Sequence, residues 1–240
     1  MSNKTYLEND VTISNKFSEN DLFKVEDSVK SIGVKIEAAR SGRINSNLVL
    51  YTPRAMEQGM KSFIYPFKKH LQADHNGEAV GVITEAEYVP ELFPKASKQF
   101  INIANRVDKY ARESNGPELV KAIKELIKTK EYNSPEYRGL GIANICGDIY
   151  NPNIIYEIKT RQTNKGTVSI GGKSSEVYCS VCSERFGGNH EHKKGHMYNN
   201  ELCFYINNDL YLDHCGFVTT PADKYTKTEI VRDSERSEEH

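Results

Sequence analysis

No apolar run in the chain approaches the roughly 20 residues a helix needs to cross a bilayer, so no membrane-spanning segment is expected. The opening Met1-Ser2-Asn3-Lys4 lacks the apolar core of a signal peptide, which points to the cytoplasm of the producing cell. Net charge is also nearly missing. The 32 basic and 33 acidic residues leave −1, whereas a protein that grips nucleic acid through its phosphates normally presents a basic surface. Nucleic acid is therefore not an expected partner. There is no internal repeat. Five cysteines are an odd number for a secreted disulfide framework, and four of them lie after position 178 among five of the seven histidines. That clustering reads as metal binding in a reducing compartment.

A chain of 240 residues can bury one sizeable core. Residues 1–24 and 226–240 are polar and carry little to bury, so both are expected to be mobile segments flanking one domain over 25–225. Within it, Ile32 to Ala38 alternates apolar and polar residues as a strand does, and Leu48 to Tyr51 gives a second short strand. Thr52-Pro53 is an N-cap followed by proline at the first helical position, opening a helix to about Phe63. Ala79 to Val89 returns to strand. Between about 94 and 131, Phe100, Ile103, Ala104, Val107 and Ala111 recur at helical spacing, as do Leu119, Val120, Ile123, Leu126 and Ile127. Asn115-Gly116-Pro117 breaks this into a helical hairpin. Strand character resumes at Gly139 to Ile149, Asn151-Pro152 starts a helix to about Arg161, and Thr167 to Ile170 is a strand. Asn207-Asn208-Asp209, between apolar runs Leu202–Ile206 and Leu210–Val218, reads as a hairpin turn. Strands and helices mix without a βαβ rhythm, giving an α+β fold built on an antiparallel sheet or barrel flanked by helices.

Two segments carry a family resemblance. Tyr65 to Asn76, ending Ala73-Asp74-His75-Asn76 and followed by Ala79-Val80-Gly81-Val82-Ile83, is similar to the sequence around the catalytic histidine of tailed-phage prohead proteases. Thr167-Val168-Ser169-Ile170-Gly171 resembles the family's strand bearing the nucleophilic serine. Gly42-Arg43-Ile44-Asn45, the helix at 149–158, and Thr220-Pro221-Ala222-Asp223 match in the same order, so the resemblance covers most of 30–225 outside the helical hairpin. It implies a herpesvirus-assemblin-like fold and a serine endopeptidase that cleaves phage major capsid protein, scaffold or core proteins, and itself, inside the immature prohead in the host cytoplasm. Self-association is expected with it.

A serine hydroxyl is a poor nucleophile near neutral pH, and an imidazole with an ordinary pKa of about 6.5 can take its proton if a third group orients the ring. By the resemblance the nucleophile is Ser169 and the base His75. His70 competes with His75, which has Asn76 after it and Val80-Gly81-Val82 at the family-like spacing. For the third member, assemblin-type proteases use a histidine and many phage relatives an acidic residue, and the strand before Pro221 offers both His214 and Asp213. Strand alternation lets only one of them face His75. His214 is the expected member, and Asp213 stays open as the alternative. Gly171 and Gly172 are candidates for close backbone approach.

Cys179-Ser180-Val181-Cys182 with His190 and His192 forms the second constellation, within an insertion of about 178–203. Two thiolates at this spacing and two imidazoles complete a closed tetrahedral site, which implies structural zinc. His196 is a reserve ligand, and Cys146, Cys203 and Cys215 read as small apolar core residues. Two other functions compete: a catalytically silent prohead core or scaffold component with the same fold, and a zinc-dependent nucleic-acid module.

Overall fold

The computed structural model describes residues 31–75, 77–91, 93, 95–160, 166–187 and 190–233, so the N-terminal segment 1–24 lies outside the described residues. In chain order the elements are β1 (Ile32–Ser41), β2 (Val49–Tyr51), α1 (Pro53–Ile64), β3 (His70–Ala73), β4 (Ala79–Pro90), α2 (Lys98–Arg112), α3 (Gly116–Ile127), β5 (Gly141–Ile149), α4 (Pro152–Thr160), β6 (Thr167–Lys173), β7 (Val177–Cys179), β8 (Met197–Tyr198), β9 (Glu201–Leu202), β10 (Tyr205–Asn207), β11 (Tyr211–Val218) and β12 (Lys227–Asp233). Seven of the strands form one sheet in the order β12-β1-β5-β4-β3-β11-β6. The sheet curls into a half-barrel, bringing β6 at one edge near β1 and β12 at the other. Irregularities in register at Gly33/Val34, Glu37/Ala39, Ile83/Glu85 and Leu212/His214 assist the curl, because each added residue bends its strand.

The fold is α+β, as the residue patterns imply, with the sheet mixed rather than antiparallel. β11 runs parallel to β3, and β10 parallel to β2. Both pairs join strands separated by long excursions of chain, which frees them from hairpin geometry. The expected hairpin at 207–209 is likewise corrected: β10 sits in a three-stranded sheet between β2 and β7, whereas β11 joins the large sheet. The turn-forming side chains are tied elsewhere. Asn208 donates to the Ala111 carbonyl at 2.8 Å and to Glu176 at 2.7 Å, and accepts from Thr52 at 3.0 Å, while the Asp209 carboxylate receives the backbone amides of Ser175 and Glu176. A further correction falls on the C-terminal tail, where Lys227–Asp233 pairs with β1 as an edge strand.

One core lies between α1 and one face of the sheet. Met56, Met60 and Phe63 of α1 pack there with Leu71, Ile83, Ile145, Val168, Cys215 and Phe217. α1 starts as its sequence dictates, with Thr52 Oγ1 accepting from the Ala55 amide at 3.1 Å and Pro53 at the first turn. A second core joins the α2–α3 hairpin to the small sheet through Phe100, Val107, Leu119, Ile123, Tyr137, Tyr178 and Ile206. Among the described residues, no helix is long and apolar enough to cross a membrane.

Candidate functional site

β3, β11 and β6 lie side by side, and their outward faces carry the residues singled out for chemistry. His214 on β11 stands opposite His70 of β3 on one side and Gly171 of β6 on the other; two residues along, Gly216 stands opposite Ser169. Residues i and i+2 of a strand share a face, so Ser169 and Gly171 project with His214 and Gly216, away from buried Val168, Cys215 and Phe217.

His75 reaches this face from the turn after β3. The Asp74 amide continues the ladder to the Phe217 carbonyl at 2.9 Å, and Asp74 then takes φ +54, a left-handed conformation that aspartate tolerates better than most residues. The chain folds back, so that the His75 ring lies over β11. Its Nδ1 is 2.6 Å from Nε2 of His214, with ring centroids 4.9 Å apart and planes at 68°. Burial first, and then the neighbouring His75, hold His214 below the usual histidine pKa, with Asp213 opposing them. A neutral His214 can accept a hydrogen bond at Nε2 from the Nδ1–H of His75, which leaves Nε2 of His75 as the basic lone pair.

Ser169 is the neighbour of this pair. A Cβ on Gly216, its cross-strand partner, would stand 3.3 Å from His75 Nδ1. Ser169 is thus the cross-strand neighbour of the position over which the His75 ring lies. Among the described residues His75 bonds to His214 and not to Ser169. Beside Ser169, a small cavity is lined by Ala38, Ala39, Tyr51, Asn45 and Asp223.

Of the two candidate bases, His75 contacts His214, whereas His70 is an exposed neighbour in the same row across the sheet. Of the two candidate third members, His214 makes the contact. Asp213 is the extra residue where the β11–β6 register shifts, and its exposed side chain affects the ring through charge alone. Gly171 and Gly172 do accommodate close approach, the first to the His214 ring and the second to the backbone at Tyr211 and Leu212. Gly216 plays the same part, and a lone glycine in a strand carries no local signal of it.

The second cluster lies at the end of β7. Ligand atoms of Cys179, Cys182, His190 and His192 all fall within 4.8 Å of one another, a Cys2His2 group that could hold a metal ion. Cys179 opens a tight turn in which its sulfur accepts the Val181 amide at 3.4 Å and its carbonyl the Ser183 amide at 3.0 Å. His190 packs on Phe186 and His192 edge-on to Tyr198, with centroids 4.6 and 4.4 Å apart. Nε2 of His190 and Nδ1 of His192 are buried without hydrogen-bond partners. Buried ring nitrogens are rarely left so, and these two belong to the rings that close the cluster. His196 is not part of the group. Cys203, expected as plain core, is buried, but its sulfur lies 3.8 Å from that of Cys179 and its thiol is pushed up to about 12 by burial and then by that neighbour. Cys215 behaves as an inert core thiol, fully buried and raised to about 12 by burial alone. Cys146 is only partly buried, a correction to its place in the core.

No family model, no curated protein and no solved structure matches the chain.

Proposed function

We propose that the protein is a serine endopeptidase of the prohead-protease, assemblin-like kind, with Ser169 as nucleophile, His75 as general base and His214 as the group that orients His75. The observation that carries this reading is the 2.6 Å bond between His75 Nδ1 and His214 Nε2 on the face that also bears Ser169. In the proposed cycle His214 Nε2 accepts a hydrogen bond from the Nδ1–H of His75, which stays on His75 and fixes its tautomer. Nε2 of His75 takes the Ser169 proton as the hydroxyl attacks a peptide carbonyl, then returns it to the leaving amine. The acyl-enzyme is hydrolysed by water through the same relay. By the resemblance the substrates are phage major capsid protein, scaffold or core proteins and the chain itself, within the immature prohead.

The Cys2His2 group fits zinc on donor chemistry: two thiols on a tight turn, two imidazoles with orphaned nitrogens, and no position left open. Bound there, zinc would be structural and tie the 178–203 segment down. Co-expression with a capsid protein from the same source, followed by intact-mass analysis, tests the assignment. Specific cleavage should occur with the parent and vanish with Ser169→Ala. Absence of cleavage in both would favour the silent scaffold component that keeps the same fold.

A further inference from the structure

The register of β6 and β11 sets out a block of four positions. Ser169 faces Gly216, and Gly171 faces His214, so each residue assigned to chemistry stands opposite a glycine. Neither glycine has a left-handed φ, so the backbone there suits any L-residue and the missing Cβ itself is what matters. A Cβ on Gly171 would overlap Cε1 and Nε2 of His214 and stand 3.0 Å from its Nδ1. A Cβ on Gly216 would overlap the Asp74 carbonyl oxygen, with His75 Nδ1 3.3 Å away. Asp74 is the residue whose left-handed turn delivers His75.

Resting on the proteolytic reading above, we propose that Gly171 and Gly216 are positioning residues, whose empty Cβ sites are the seats in which the His214 ring and the Asp74–His75 turn lie. The Cε1–Nε2 side of the His214 ring sits at the empty Cβ site of Gly171 because Gly171 leaves room. In that pose its Nε2, and not its Nδ1, meets His75. The His75 ring lies over β11 because Gly216 leaves room for the carbonyl before it, and this holds the ring beside Ser169. Serine and histidine thus occupy one diagonal of the block, and the space they need occupies the other. A methyl group at either glycine displaces a ring by about an ångström, and misplacement of that size costs on the order of 10²-fold in rate.

The two glycines act through different partners, which makes the test specific. Labelling of Ser169 by a fluorophosphonate, followed by intact mass, reports nucleophile activation without a peptide substrate. Gly171→Ala should slow labelling about 10²-fold in the parent, and should add no further loss when His214 is already alanine, since the ring it displaces is gone. Equal losses in both backgrounds would mean a general structural effect and overturn the proposal.

The histidine ring signals in NMR give a second readout that needs no activity. The charged or titratable groups around His214 are His75 from the turn, His70 across β3 and Asp213 on its own strand. Gly171→Ala should release His214 towards water, raise its titration towards about 6.5 and uncouple it from His75. Unchanged ring titrations in a folded Gly171→Ala protein would likewise overturn the proposal. Should Gly171→Ala fail to fold, the Gly171→Ala/His214→Ala protein should recover folding, and failure of both would count against the seat. A parent that never labels at Ser169 would defeat the proteolytic reading, whereas the ring titrations would still decide the role of Gly171.

Discussion

Asp213 and His214 differ by one position, and alternation alone would send them to opposite faces of β11. The register shift between Leu212 and His214 changes that. Leu212 is buried, Asp213 is the added residue, and from His214 onward the phase has moved so that Cys215 and Phe217 face the core. Bulges of this kind re-aim side chains, and nothing in Tyr211-Leu212-Asp213-His214 announces one. The sequence therefore offers both residues and cannot place either. Ser169 and His75 stand inside short motifs, whereas what brings them to one face of the sheet is strand order. His214→Ala should slow cleavage by about 10⁴-fold while leaving a measurable remainder, as loss of an orienting group does. Asp213→Ala should change the rate less than about tenfold, since Asp213 acts on His214 only through its charge, which burial and His75 oppose. Steady-state kinetics on folded variants would check this, and the reverse order would assign the third role to Asp213.

At the scale of elements, strong periodicity was legible and weak or exposed segments were not. α1, α2 and α3 follow their caps and 3.6-residue spacing closely, with Thr52, Ser97 and Asn115 each accepting an amide from the first turn. β3 has four residues, too few for alternation to stand out, yet it is the strand that carries the chain into His75. β12 is exposed along most of its length, and its charged sequence reads as a solvated tail because an edge strand satisfies half its backbone with water. The Cys/His cluster was legible as four candidate ligands, but the third sulfur beside it was not, since the path returning Cys203 beside Cys179 is tertiary. Cys179→Ser should lose zinc, measured by elemental analysis, and unfold at a lower temperature, with fluorophosphonate labelling of the folded fraction retained. Complete loss of labelling on chelation, restored by zinc, would make the ion catalytic.

For the molecule as a whole, the sequence presents a helical insertion at 94–131 and a metal insertion at 178–203 as separate additions. In the fold they share a core, with Tyr178 against Gly116 and Phe204 and Ile206 packed among α2 and α3 side chains. The junction is sealed by a buried polar hub, in which Asn208 bridges Thr52, Ala111 and Glu176, and Arg54 pairs with Glu176 at 2.7 Å. The Glu176 carboxyl stays below the usual range because the hydrogen bonds from Asn208, Arg54 and Tyr178 outweigh the burial that opposes them. Such partners are scattered over 150 positions of sequence and leave no local trace. Asn208→Ala should cost about 2 kcal/mol, because it strands buried groups that water cannot reach. A denaturant midpoint shifted down with an unchanged slope would show it.

The most direct measurement of the central claim is the site at which an active-site-directed fluorophosphonate reacts with the folded protein, mapped by peptide mass spectrometry. A serine activated by the His75–His214 pair predicts one adduct, on Ser169, that is lost in His75→Ala and strongly slowed in His214→Ala. Modification of another residue, or labelling of Ser169 that persists unchanged without His75, would contradict it.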